Sequence, residues 1–62
     1  MNDIERQIIS LLKRGPYMRQ EIIRYCRPHN VEAVDTALQY LEQAGKVRIL
    51  PFAGLYELID AA

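Results

Sequence analysis

The chain has 62 residues, half of them apolar, and its eight basic and eight acidic side chains cancel to a formal net charge of zero. That length allows one small domain (residues 1–62), which buries about 60% of the surface its unfolded chain exposes and leaves no room for a core plus a deep substrate cavity. The balanced charge excludes the global basicity of many nucleic-acid and anionic-membrane binders, so any electrostatic preference rests on where the charges sit.

Cys26 is the single cysteine, so no intrachain disulfide forms and a reducing, cytoplasmic setting is expected. No apolar run approaches the ~18 residues of a membrane span. The start Met-Asn-Asp-Ile-Glu lacks the basic and apolar stretches of a secretory signal.

The first helix is marked at both ends. Asn2 followed by Glu5 resembles a capping box, and Ile4, Ile8, Leu11 and Leu12 fall on one stripe at helical spacing. Lys13 and Arg14 suit the negative end of the helix dipole, Gly15 accepts a left-handed cap and Pro16 stops continuation. A shorter helix is expected from about Arg19 to Cys26, burying Ile22, Ile23 and Cys26, with Arg27-Pro28-His29 as a turn. Asn30 caps a third helix over roughly Val31 to Ala44, with Val34, Ala37, Leu38 and Leu41 inside and Glu32, Thr36, Gln39 and Gln43 outside. Gly45 ends it. The period then changes to alternation. Lys46 to Leu50 and Leu55 to Ile59 read as a hairpin joined by Pro51-Phe52-Ala53-Gly54, with Val47, Ile49, Tyr56 and Leu58 inward and Arg48 paired with Glu57 outside. The expected fold class is mainly α with a small β-hairpin, three helices followed by two strands.

The residues Ile8, Leu11-Leu12, Glu21-Ile22, Val34, Ala37-Leu38, Leu41, Gly45, Val47 and Tyr56-Glu57-Leu58 resemble the consensus core of small prokaryotic winged helix-turn-helix domains over nearly the whole chain. The run from Ala37 to Val47 is especially similar. The helix end Leu41-Glu42-Gln43-Ala44-Gly45-Lys46 also resembles the ferrous-iron-transport accessory proteins, but those carry several cysteines in the wing. This wing has none, so iron–sulfur chemistry is not carried over.

Catalysis is excluded first. Cys26 and His29 form a Cys-x-x-His pair two ligands short of a structural zinc site, no serine lies near either, and no glycine-rich phosphate loop exists. No catalytic residue, metal ligand or cofactor is expected. Two binding functions remain.

The resemblance implies a regulator that places the third helix in the major groove of double-stranded DNA. By that resemblance Glu32, Ala33, Asp35, Thr36 and Gln39 are the base-reading positions, and Arg19, Arg27, Lys46 and Arg48 are the candidate phosphate contacts. Against it, the third helix carries Glu32, Asp35 and Glu42 without a cation. Residues 13 to 29 hold Lys13, Arg14, Arg19, Arg24 and Arg27 against Glu21 alone, a net of +4. Those cations are phosphate ligands, solubilising charge or partners of an acidic helix on another molecule.

The rival is a protein-interaction module. Leu50, Leu55 and Ile59 are expected outside the hairpin with Phe52 at its tip, an apolar patch suited to a protein partner or a homodimer. The alternative is that this patch covers the first helix as core.

Overall fold

The structure, a computed structural model, describes residues 2–59. α1 spans Asp3–Leu12, opened by Asn2, whose Oδ1 accepts the Glu5 backbone N–H at 2.8 Å. That bond satisfies one of the free donors at the helix start. Ile8, Leu11 and Leu12 are buried and Ile4 is half-buried, as the stripe requires.

After Gly15 and Pro16 comes an element that sequence periodicity does not reveal. β1, Tyr17–Met18, pairs antiparallel with the last strand, Tyr17 opposite Tyr56 and Met18 opposite Leu55. Two residues are too few to show alternation, and the pairing is wholly tertiary. α2 follows at once as Arg19–Tyr25, its entry fixed by the Met18 N–H donating to Glu21 Oε1 at 2.9 Å. Ile22 and Cys26 are fully buried and Ile23 half-buried. The turn to the next helix contains a cis Arg27–Pro28 peptide and is closed by the His29 N–H donating to the Cys26 carbonyl at 2.9 Å.

α3, Val31–Gln43, starts on Asn30, whose Oδ1 accepts the Ala33 N–H at 2.7 Å. Its inner residues Val34, Ala37, Leu38 and Leu41 are all buried. Its end is a paired cap: the Gly45 N–H donates to the Glu42 carbonyl and the Lys46 N–H to the Leu41 carbonyl, at 3.1 and 2.9 Å. That reversal needs a left-handed residue, and Gly45 supplies it at φ +75°.

β2, Val47–Leu50, and β3, Leu55–Leu58, form the expected hairpin, with Val47 opposite Leu58, Arg48 opposite Glu57, Ile49 opposite Tyr56 and Leu50 opposite Leu55. The sheet order is β1-β3-β2, so the hairpin is flanked by β1 on its β3 side. Because side chains alternate, one face carries Tyr17, Tyr56, Ile49, Val47 and Leu58, and the other carries Met18, Leu55, Leu50, Arg48 and Glu57. Val47 is buried, and Tyr17, Tyr56 and Leu58 pack against the core. Ile49 departs from the expectation of an inward position: it is 41% exposed, because it lies on the edge strand next to the turn, where the hairpin runs past the helical core. Leu50 and Leu55 on the other face are half-buried, and neither belongs to the core.

Three helices closing on a C-terminal antiparallel hairpin make a mixed α+β fold, with the short strand β1 added between α1 and α2. Among the described residues no helix is long and apolar enough to cross a membrane.

Candidate nucleic-acid interface

The outward side of α3 is a crest between two shallow grooves. Thr36 and Gln39, three residues apart and both exposed, stand on the crest. On the wing side, Gln39 borders a groove with Arg19, Asp35, Glu42 and Tyr56. On the α1 side, Thr36 and Ala33 border a groove with Glu5, Glu32 and Tyr40.

The wing-side groove is organised by one ion pair. Arg19, the first residue of α2, donates from Nε to Asp35 Oδ1 at 2.8 Å and from Nη2 to Asp35 Oδ2 at 2.6 Å. The two-point geometry matches a planar guanidinium to a carboxylate. The hydrogen bond from Arg19 holds the Asp35 carboxyl below its ordinary value, and the same contact raises the already high value of Arg19. Both groups are therefore charged at neutral pH and cancel locally. Burial, reinforced by the charges of Glu42 and Asp35, pushes the Tyr56 hydroxyl above the ordinary phenol value, so it stays a neutral donor facing the groove.

The candidate DNA contacts do not form one cluster. Arg19 and Gln39 share the wing-side groove, while Ala33, half-buried, and Thr36 border the α1-side groove. Arg27 stands elsewhere, with Gln20, Ile23 and Arg24 on the outer side of α2. Lys46 lies at the base of the hairpin with Ile9, Ala44, Leu58 and Ile59. Arg48 points from the outer sheet face and pairs with Glu57 at 2.7 Å, as the strand register leads one to expect. The four candidate interface residues lie at the hairpin: Phe52 fully exposed at its tip, Ile59 38% exposed, and Leu50 and Leu55 half-buried.

Sequence reasoning placed Arg19 and Asp35 in opposite roles, one gripping phosphate and one repelling it. It did not reveal that they bind each other, because they are sixteen residues apart and meet only through the crossing of α2 and α3. Among the described residues, Arg19 is the one cation of the segment 13 to 29 that pairs with the acidic helix. Tyr56 was read as core alone, and its groove-side position escaped notice.

Among the described residues no group of three or more His, Cys, Asp and Glu side chains is placed to hold a metal. No protein-family model, curated protein or solved structure matches the chain.

Proposed function

We propose that the protein is a small cytoplasmic winged-helix regulator that docks double-stranded DNA, presenting the crest of α3 to the groove and the hairpin to the flanking backbone. The observation that carries this reading is the bidentate Arg19–Asp35 pair. It cancels one of the three acids that stood against DNA binding, and it holds a guanidinium beside Gln39 on the reading side. Thr36 and Gln39 offer the polar side chains suited to a thymine methyl or phosphate and to an adenine edge. Lys46 and Arg48 are exposed and near the hairpin; the Arg48–Glu57 pair is a surface pair, worth little in water, and a phosphate oxygen can replace the carboxylate. The reading needs neither cofactor nor catalytic group.

Binding of the protein to a labelled duplex, titrated against salt, tests it. With Lys46 and Arg48 engaging about two phosphates while Asp35 holds Arg19, log affinity should fall with log salt at a slope near −2. Absence of binding at low salt would refute it.

A second reading is supported by a different observation. Met18, Leu55 and Leu50 face one another across the three strands on the outer sheet face, and Phe52 beyond them is wholly exposed. An apolar row ending in an unpacked aromatic ring suits a protein partner or a second copy. In that case the protein sediments as a concentration-dependent dimer, or captures its partner, through Phe52, and Phe52→Asp abolishes the association. A monomer that Phe52→Asp leaves unaltered in every binding assay contradicts this reading.

A further inference from the structure

A group of cations without an ion-pair partner among the described residues lies away from α3. Lys13 and Arg14 follow α1, and Arg24 and Arg27 lie on and just after α2; all four are exposed. Arg14 and Arg24 border one shallow depression with Tyr17 and Tyr25, and Arg24 and Arg27 border the next with Gln20 and Ile23, so Arg24 joins the two. Among the described residues the ion pairs are Arg19–Asp35 and Arg48–Glu57, and neither involves these four cations. One acid, Glu21, borders these depressions and accepts the Met18 N–H, and against the three arginines there it leaves the surface net positive.

We propose that this face of α1 and α2 is a binding surface for a single-stranded nucleic acid. Three features select that ligand. Guanidinium groups of Arg14, Arg24 and Arg27, spread over two adjoining depressions, suit a chain of repeating monoanions, and arginine takes phosphate oxygens at two points. Tyrosine rings stand among the cations, Tyr25 being 45% exposed and Tyr17 half-buried, and phenol rings are platforms on which unpaired bases stack. A duplex hides its base faces and would leave those rings unused. An acidic polypeptide answers the charge but supplies no regular succession of flat faces. The surface shares no residue with the α3 crest or the Arg19–Asp35 groove, so this inference stands or falls apart from the duplex reading.

The test uses the whole protein with a labelled oligothymidine strand and, separately, a duplex of equal length. Binding to the strand is expected at low salt, with quenching of tyrosine fluorescence as a base stacks on Tyr25. The double variant Arg14→Gln/Arg24→Gln should flatten the salt slope by about 1.4, the share of two phosphate contacts on a single strand. Arg24→Lys, which keeps the charge, should hold most of the slope. Tyr25→Leu should weaken strand binding about tenfold with the slope retained. None of these changes should alter duplex affinity, and Thr36→Ala/Gln39→Ala should leave strand binding intact; far-UV circular dichroism confirms that each variant is folded. No strand binding at low salt, indifference of binding to all these variants, or equal competition by polyglutamate would overturn the proposal.

Discussion

Arg19 and Asp35 grip each other at two points, 2.8 and 2.6 Å, across the crossing of α2 and α3. The cation that the proposed duplex reading would offer to a phosphate is thus held by the acid that would repel one. Asp35→Asn removes that acid and releases the guanidinium. We expect duplex affinity to rise and its salt slope to steepen by about one. An unchanged slope in a direct titration would mean that Arg19 does not approach the backbone.

The same pair gives a pH dependence with a definite sign. The Asp35 carboxyl is held below its unfolded value by the hydrogen bond from Arg19, so its contribution is present above the unfolded value and is lost as pH falls through the depressed folded one. Both side chains are more than 40% exposed, so the effect is small. Urea midpoints measured downward from about pH 5 should fall less in Arg19→Gln than in the parent chain. Parallel curves would contradict the pair's contribution.

Core substitution should be severe for so small a chain. Leu41 is fully buried on α3 between the other helices and the hairpin. Leu41→Ala should cost about 2–5 kcal/mol, comparable with the roughly 3–5 kcal/mol that a core of this size supplies. Thermal melts followed by far-UV circular dichroism should therefore show a largely unfolded variant at room temperature, and a parent-like transition would contradict the assigned core.

Cys26 is fully buried, and burial pushes its thiol above the ordinary value, so the reactive thiolate is scarce in the folded protein. Alkylation at neutral pH should be slow and should accelerate along the urea unfolding transition. The raised value also means that the thiol's contribution to stability is present below the unfolded value and is lost as pH rises through the folded one. Rapid labelling without denaturant would contradict the packing of α2 against α1 and α3.

The helices were legible because each combines a helical apolar period with a local cap: Asn2 and Asn30 both accept the N–H three residues on, and Gly45 closes α3. The hairpin was legible from its alternation and from the turn residues Pro51 to Gly54. β1 was not, since Tyr17 and Met18 carry no period of their own and are strand only through Tyr56 and Leu55. Ile49 misled for a related reason: alternation fixes a face, and only the extent of the helical core decides whether that face is covered. For the site, the sequence disclosed which segments are basic and which acidic. It did not disclose partners, so nothing in the spacing shows that Asp35 is paired with Arg19 or that Arg27 borders a depression with Arg24. Both are contacts formed by the folded chain, which one-dimensional spacing does not encode.

Mapping backbone amide shifts by NMR while a duplex is titrated into the labelled protein tests the central claim most directly. The account predicts perturbations centred on Arg19, Asp35, Thr36 and Gln39, extending to the hairpin at Lys46 and Arg48. Shifts confined to Met18, Leu50, Phe52 and Leu55, or no shifts at low salt, would contradict it.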